Sequence, residues 1–216
     1  MIDLYTWSTP NGRKISIALE EMGLAYEVHP VNINKDEQFR ADFTAISPNN
    51  KIPAIIDRNT GLSIFESGAI LMYLGDKTGM LYPAEKVARL RVHEWLMWQM
   101  SAVGPMLGRV HYFLKYNAGK SAFAEAWFGE EARRIYGVLE RLLETREFMC
   151  DQYSIADIAT FPWIARHEWQ RIDLNDYPHI RRWYLAIAAR PAVQKGFKVP
   201  DASVEIPMPR DKSVLV

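Results

Sequence analysis

Hydroxyl and amide side chains cluster in Trp7-Ser8-Thr9-Pro10-Asn11-Gly12, between an apolar stretch and a helical pattern. A strand-to-helix turn directs backbone N–H groups and the positive end of the helix dipole toward one point, which attracts an anion. The side chains of Ser8, Thr9 and Asn11 add hydrogen-bond donors there. The alternative is structural, with Ser8 or Thr9 capping the helix and Pro10 in its first turn. The residues alone leave both interpretations open.

Two later segments could also contact a ligand. Lys51-Ile52-Pro53 opens a predicted strand, and a cis bond before the proline would expose backbone groups to a ligand, although proline there also simply marks an edge. Glu66-Ser67-Gly68 joins a strand to a helix. Glu66 could face an ammonium group while the helix start receives a carboxylate, which together match an α-amino acid end. The structural alternative is that Ser67 is an N-cap and Glu66 is solvated.

The remaining candidate residues predict a helix cap but no further catalytic or metal site. Ser154-Ile155-Ala156-Asp157 is a capping box, so Asp157 is expected to stabilise a helix start. The five histidines share no metal-ligand spacing, and no metal site is predicted. Cys150 is the single cysteine, which excludes a disulfide framework, a CxxC pair and a cysteine-rich zinc site.

Composition bounds the class of protein. The chain has 216 residues, enough for one large or two small domains, and its 26 basic and 26 acidic residues balance. Because no basic excess or stripe occurs, nucleic acid is not an expected partner. No run of 18 apolar residues and no export signal is visible, so the expectation is a reduced, cytoplasmic protein without a membrane segment.

The elements that must position these residues fall into two halves. Up to residue 79 the pattern is βαβαββα, with strands over 2–5, 26–31, 53–57 and 62–65 and helices near 15–22, 36–46 and 67–79. This order fits a small mixed sheet covered by helices, an α/β domain over 1–79. Residues 86–205 are expected to form an all-helical domain. Within it, Gly104-Pro105 is expected to bend or break the helix predicted over 86–117.

Several runs resemble cytosolic glutathione transferases over nearly the whole chain. They are Thr9-Pro10-Asn11-Gly12, the segment from Ile46 to Ile55 (ISPNNKIPAI), Phe65-Glu66-Ser67-Gly68-Ala69-Ile70 and Gly104-Pro105-Met106-Leu107-Gly108. They are most similar to the bacterial nu class, which is akin to a fungal nitrogen regulator. The resemblance implies a thioredoxin-like domain followed by a helical domain, and glutathione as cosubstrate without a metal.

The resemblance also assigns roles. Glu66 and Ser67 would hold the γ-glutamyl end of glutathione, and Ile52, before a cis Pro53, would pair its backbone with the cysteinyl part. The glycyl end, or a second glutathione, would meet three further residues, Gln38, Asn50 and Lys51. Thr9 and Asn11 would face the sulfur. The implied activities are disulfide reduction and glutathione transfer, to a disulfide or a small electrophile, by a homodimer.

Some features depart from the family pattern or leave the function open. Trp127 stands where relatives tend to carry arginine, and Arg109 replaces a usual glutamine. Tyr5 competes with Thr9 as a group acting on the sulfur. The wall for the second substrate is expected at Gly104, Pro105, Met106, His111 and Trp163. A non-catalytic glutathione-binding protein on the same scaffold remains the alternative function.

Overall fold

The computed structural model describes residues 1–210, which form two compact units. The first unit contains residues 1–84 and, from much later in the chain, residues 189–206. The second contains residues 85–188 and residues 207–210. The first unit is α/β and the second is helical, which confirms the predicted fold class.

A four-stranded sheet with the order β2-β1-β3-β4 organises the first unit. Its first seven elements are β1 (Ile2–Thr6), α1 (Pro10–Glu21), β2 (Tyr26–Pro30), α2 (Ala41–Ile46), β3 (Ala54–Asp57), β4 (Leu62–Phe65) and α3 (Ser67–Thr78). β1 runs parallel to β2 and antiparallel to β3, and β3 runs antiparallel to β4. The predicted βαβαββα order is confirmed, and Pro30 ends an edge strand as its missing N–H requires.

Apolar side chains on β1, β3, α1 and α3 form the core of this unit. Those with no exposed surface include Leu4, Ile15, Ala18, Leu19, Ile55, Ile70, Leu71 and Leu74. Each large aliphatic side chain buried in this way contributes about 1.5–3 kcal/mol of transfer free energy. The helical stripe predicted from Ile15 to Met22 is therefore buried, as is every residue of α1 from Gly12 to Leu19, and Gly23 follows the helix with a positive φ of 63°.

The second helix is shorter than its sequence pattern predicts. Residues 33–35 and 37–39 form two 3₁₀ turns, and α2 begins only at Ala41. Arg40 has an extended backbone (φ −64°, ψ 145°), and Asp36 has a left-handed one (φ 59°). Because neither conformation continues an α-helix, the predicted span 36–46 is divided.

The second unit begins with a continuous helical backbone over residues 86–116. It comprises α4 (Lys86–Trp98), a π-helical segment (Gln99–Val103), α5 (Gly104–His111) and a second π-helical segment (Tyr112–Tyr116). The backbone is not broken at Gly104-Pro105, since Gly104 is helical (φ −59°, ψ −58°) and its N–H bonds to the oxygen of Gln99 five residues earlier, whereas the alternative expectation of a bend there stays a prediction. The wider π turn removes the tight i→i−4 geometry with which a proline ring clashes.

Three more helices complete the second unit. They are α6 (Ala122–Leu143), α7 (Ile155–Ile164) and α8 (Pro178–Ala188). α7 is buried along all ten of its residues. Within residues 1–210, no helix has both the length and the apolar character needed to cross a membrane.

The last helix, α9 (Pro191–Phe197), belongs to the first unit and packs on α1. A Cβ on Gly196 would lie 2.6 Å from the Cα of Ile17, so only glycine permits this approach. Ser16 Oγ donates to the Gly196 oxygen (2.7 Å), and Arg13 Nε donates to the Phe197 oxygen (3.0 Å). The structure thus departs from the expected helical domain over 86–205, because helical periodicity does not indicate which unit a helix packs against.

Candidate active site

The turn between β1 and α1 is fixed by Thr9 and Gly12. Thr9 is the N-cap of α1, and its Oγ1 accepts from the N–H of Gly12 at 3.2 Å, with Pro10 in the first helical turn. A Cβ on Gly12 would collide with the oxygen of Trp7 and lie 2.5 Å from Thr6 Oγ1, so glycine is required there. The structural interpretation of Thr9 is therefore confirmed. Since a hydroxyl that accepts one hydrogen bond keeps its own proton, Thr9 can still donate to an anion.

Strand register brings the three predicted segments to one edge of the sheet. Tyr5 of β1 pairs with Ala54 of β3, and Ala54 pairs with Phe65 of β4. At this end of the sheet, β1 continues into the Thr9 turn and β4 continues into Glu66. β3 begins at the same end, directly after Pro53. The peptide bond between Ile52 and Pro53 is cis.

Glu66 and Ser67 occupy the junction between β4 and α3. Ser67 is the first residue of α3 and Glu66 is its N-cap without a side-chain capping bond, so the prediction that Ser67 caps the helix is wrong. Glu66 is exposed and has a positive φ (φ 67°, ψ 112°), a conformation that is costly for a residue with a side chain. The carboxylate is thereby presented to solvent beside the N–H groups that open α3.

Lys14 is a functional candidate that the sequence did not reveal. Its side chain is buried, and Nζ donates to the Oγ of Ser67 at 3.2 Å, which joins α1 to the start of α3. Burial lowers the pKa of Lys14 to about 7, against the opposing effect of the charge on Glu66. The position of Lys14 in the sequence could have indicated its burial. Lys14 precedes Ala18 by four residues and thus lies on the apolar stripe of α1.

Gln38 and Asn50 lie together beside the Ile52–Pro53 segment. Asn50 has a left-handed backbone (φ 54°), and its Nδ2 donates to the Gln38 oxygen (3.0 Å) and to Thr44 Oγ1 (2.6 Å). Within residues 1–210 the buried Oε1 of Gln38 accepts no hydrogen bond. Lys51 is exposed, and its backbone oxygen accepts from Ser47 Oγ at 2.8 Å.

Tyr5 is engaged in the packing of the sheet face that carries α2. Its ring stacks on His29 with centroids 4.7 Å apart and lies 6.4 Å from the ring of Phe43. Burial raises the pKa of Tyr5, so its hydroxyl stays protonated at neutral pH. Aromatic packing therefore gives the Tyr5 ring a structural role in this unit.

One group of possible metal ligands comes together among the described residues. Single ligand atoms of Asp3, Glu27 and His29 lie within 4.8 Å of one another. Arg58 donates to both carboxylates and, as the first cause, lowers the pKa of Asp3 to about 2. The guanidinium therefore supplies the positive charge that these carboxylates need.

In the second unit, two of the residues expected to form the second-substrate wall are buried. The rings of His111 and Trp163 stack with centroids 5.7 Å apart, and the side chains are 6% and 7% exposed. Gln170 Oε1 accepts from Tyr136 Oη (2.6 Å), so its Nε2 donates to the Trp163 oxygen (2.9 Å) and to His111 Nε2 (3.0 Å). His111 thus carries its proton on Nδ1, and burial lowers its pKa to about 4. Gly104 and Met106 are half-buried and Pro105 is exposed.

Asp157 has the structural role expected of it. Its Oδ1 accepts from the Met149 N–H (2.9 Å) and Trp183 Nε1 (2.8 Å), while Oδ2 accepts from the Ser154 N–H (3.0 Å) and Ser154 Oγ (3.2 Å). The Ser154–Asp157 capping box is therefore confirmed. Cys150 nearby is buried, and burial raises the pKa of its thiol to about 11, which keeps it protonated and unreactive.

The two positions that depart from the family pattern are both on the surface of the second unit. Trp127 is exposed and meets the ring of Phe128 edge-on, with centroids 4.9 Å apart. Arg109 is exposed on α5. Neither side chain is needed to complete the core, so both can vary without loss of the fold.

The fold and the edge of the sheet define the class of this protein. Residues 1–76 match the family model for the N-terminal domain of glutathione S-transferases, and residues 108–191 match the model for the C-terminal domain. The chain belongs to the glutathione S-transferase family of enzymes.

The chain is also similar to individual proteins of this family. The chain is 45% identical over 198 residues to the disulfide-bond oxidoreductase YfcG of Escherichia coli, covering 89% of this chain and 92% of that protein. A glutathione transferase from Burkholderia graminis, solved with two glutathione molecules per subunit, is 45% identical, with a TM-score of 0.87 over 93% of this chain and 88% of that one. A glutathione transferase from Pseudomonas putida, solved with one glutathione disulfide per subunit, is 43% identical, with a TM-score of 0.85 over 92% and 91%.

Proposed function

We propose that this protein binds glutathione at the sheet edge where β1 and β4 end and β3 begins, and uses it to reduce disulfides, with transfer to carbon electrophiles as a second activity. The supporting observation is the register that aligns Tyr5, Ala54 and Phe65, because it gathers the Thr9 turn, the Ile52–Pro53 segment and Glu66 at that edge. The names of the similar proteins agree with this chemistry.

The binding roles of Glu66 and Ser67 follow from the chemistry of each group, and those of the other residues are taken from the family resemblance. Glu66 is exposed and anionic, which suits the α-ammonium of the γ-glutamyl end, and Ser67 with the N–H groups of α3 suits its carboxylate. The backbone of Ile52 pairs with the cysteinyl amide. The glycyl end, or a second glutathione, lies against the remaining three residues, Gln38, Asn50 and Lys51.

Thr9 and Asn11 hold the sulfur as a thiolate. A free thiol has a pKa near 8.5, and lowering it by two requires ~2.7 kcal/mol of preferential stabilisation of the anion. The start of α1 contributes about 0.3–1 kcal/mol, and each hydrogen bond to a charged group contributes about 1.5–3 kcal/mol. A hydroxyl from Thr9 and an amide from Asn11 therefore suffice. Both side chains are half-buried, so they can reach a ligand.

The reaction is thiol–disulfide exchange. The glutathione thiolate attacks one sulfur of the substrate, a mixed disulfide forms and the other sulfur leaves as a thiolate. A second glutathione thiolate then attacks the mixed disulfide, which releases glutathione disulfide and the second substrate thiolate. Two glutathiones lose one electron each, and the substrate disulfide gains both. With a carbon electrophile, the sulfur–carbon bond forms as the leaving group departs with its electron pair.

Paired variants at the turn test this proposal. Thr9→Val combined with Asn11→Ala should lower kcat/KM for a small dialkyl disulfide at least tenfold and raise the thiol pKa of bound glutathione, followed by thiolate absorbance. Thr9→Ser keeps both the hydroxyl and the helix cap, so it should retain most of the activity. Unchanged disulfide reduction by the double variant would show that other groups activate the sulfur.

Turnover distinguishes an enzyme from the alternative, a non-catalytic glutathione-binding protein. Wild-type protein at millimolar glutathione should reduce the disulfide faster than it conjugates a haloarene. Binding without turnover of either substrate would favour the binding protein. The homodimer is proposed from the family resemblance, and sedimentation equilibrium should give twice the chain mass of 24.9 kDa.

A further inference from the structure

Lys14 lies beneath the proposed binding site for the γ-glutamyl end. It is one of the largest fully buried side chains, 1% exposed, and its Nζ is 3.2 Å from Ser67 Oγ. Ser67 is itself 4% exposed and opens α3. A lysine ammonium therefore lies directly behind the hydroxyl that is proposed to meet the ligand carboxylate.

This position disfavours the charged form of Lys14. Removing an ammonium from water carries a large free-energy cost, and the start of α3 adds its own positive potential nearby. The pKa of Lys14 falls to about 7 for the first of these reasons, and the carboxylate of Glu66 limits the fall. Near neutral pH the side chain is consequently divided between its charged and neutral forms.

Glu66 is the charged group whose field acts on Lys14. Five other charged groups on α1 and on the elements packed against it have partners of their own. These pairs are Arg13 with the Phe197 oxygen, Lys195 with Glu20, Arg190 with Glu21, Lys77 with Asp57 and Asp3 with Arg58. Asp76 of α3, which lies more than two turns from Ser67, is a further charged group there. A change of charge at the Ser67 hydroxyl is therefore the event that bears most directly on Lys14.

We propose that Lys14 is a positioning residue for glutathione, which orients the Ser67 hydroxyl toward the γ-glutamyl carboxylate and takes up a proton when that carboxylate arrives. The inference rests on the proposed function, because it needs the carboxylate at Ser67. Nζ–H donates to Ser67 Oγ, so toward the ligand carboxylate the hydroxyl acts as a donor. The incoming negative charge lies one hydrogen bond beyond Oγ and stabilises the ammonium behind it.

The binding of glutathione should therefore be coupled to protonation of Lys14. At pH 7 about half of the free protein carries neutral Lys14, so binding should take up about 0.5 proton per molecule. At pH 6 most of Lys14 is already charged, and the uptake should fall to about 0.1. The sign is opposite to that of thiol ionisation, which releases a proton.

Isothermal titration calorimetry with S-methylglutathione isolates the effect, since this ligand has the γ-glutamyl end but no ionisable thiol. The binding enthalpy of the wild-type protein is measured at pH 6 and 7 in buffers with different ionisation enthalpies. The slope of observed enthalpy against buffer enthalpy gives the number of protons taken up. A slope near 0.5 at pH 7 that declines at pH 6 supports the proposal, and a slope of zero at pH 7 overturns it without any variant.

Two substitutions assign the proton to Lys14. Lys14→Met keeps the length of the side chain without a charge, so it should abolish the uptake, weaken binding about tenfold and raise KM for glutathione more than it lowers kcat. Lys14→Arg stays charged at all relevant pH values, so it should abolish the uptake while restoring affinity to within about threefold of wild type. Undiminished uptake in Lys14→Met would overturn the assignment.

Failure of this inference is distinguishable from failure of the proposed function. If wild-type protein binds S-methylglutathione and reduces a disulfide without proton uptake, the function stands and the role of Lys14 is refuted. If wild-type protein does not bind the ligand at all, both are refuted.

Discussion

Replacing His111 with a side chain that cannot titrate should reduce the loss of unfolding free energy that this protein suffers between pH 7 and pH 5. His111 is buried against Trp163 and accepts a hydrogen bond from Gln170, an arrangement that requires the neutral ring. Burial, and to a smaller extent the charge on Arg166, lower its pKa from 6.5 to about 4. Unfolding therefore releases a side chain that binds a proton more readily than it does in the native state.

The direction and size of the pH effect on stability follow from the two pKa values of His111, 6.5 in the unfolded chain and about 4 in the native state. A depressed histidine pKa stabilises the native state fully above 6.5, and this contribution is lost as the pH falls toward 4. Between pH 7 and pH 5 the loss amounts to ~2 kcal/mol of the free energy of unfolding. At pH 7, His111→Phe should cost about 1–3 kcal/mol, because one amide hydrogen of Gln170 loses its acceptor.

Urea unfolding followed by circular dichroism at pH 7, 6 and 5 measures the gap between wild type and variant. The gap should shrink by ~2 kcal/mol across this range, and carboxyl groups common to both proteins cancel from the difference. His111→Asn is a second variant that keeps an acceptor for Gln170, and its gap should shrink by the same amount. Parallel pH profiles for wild type and both variants would refute a buried neutral His111.

Three further changes have defined outcomes. Asp157→Ala should lower the free energy of unfolding by more than about 3 kcal/mol, because four donors lose a buried charged acceptor, whereas Ser154→Ala should cost about 1 kcal/mol in the same urea titration. Gly196→Ala should destabilise by about 1–3 kcal/mol through collision with the backbone of α1, whereas Gly129→Ala, which meets nothing closer than 3.9 Å inside α6, should raise the melting temperature. Tyr5→Phe keeps the aromatic stack and should retain disulfide reduction in the turnover assay, and a loss as large as that of the Thr9/Asn11 double variant would assign the sulfur to Tyr5.

Features that depend on neighbouring residues were predictable from the sequence. Thr9 followed by Pro10 indicates a helix start, and Ser154 three residues before Asp157 indicates a capping box, because each partner is supplied within one turn. The order of strands and helices up to residue 79 was predictable for the same reason. Local periodicity and turn residues determine it.

Features that depend on distant packing were not predictable. The residue type suggests that Lys14 is a surface lysine, but in the structure its side chain is buried beside the start of α3. The sequence also suggests that Ser67 is an N-cap, but Glu66 occupies that position. The wide turn before Pro105 is likewise invisible in a pattern of apolar residues. At the candidate site, the residue types could be chosen from sequence, but their grouping at one edge of the sheet required the pairing of β1, β3 and β4.

The return of α9 to α1 has a consequence for biosynthesis. The helix that carries Asn11 and Lys14 leaves the ribosome well before the segment that packs on one of its sides, 191–197. A nascent chain that ends before Gly196 therefore holds α1 with one side uncovered and its Arg13 without the Phe197 oxygen. The first unit is thus completed only after residues 85–188 of the second unit have been translated.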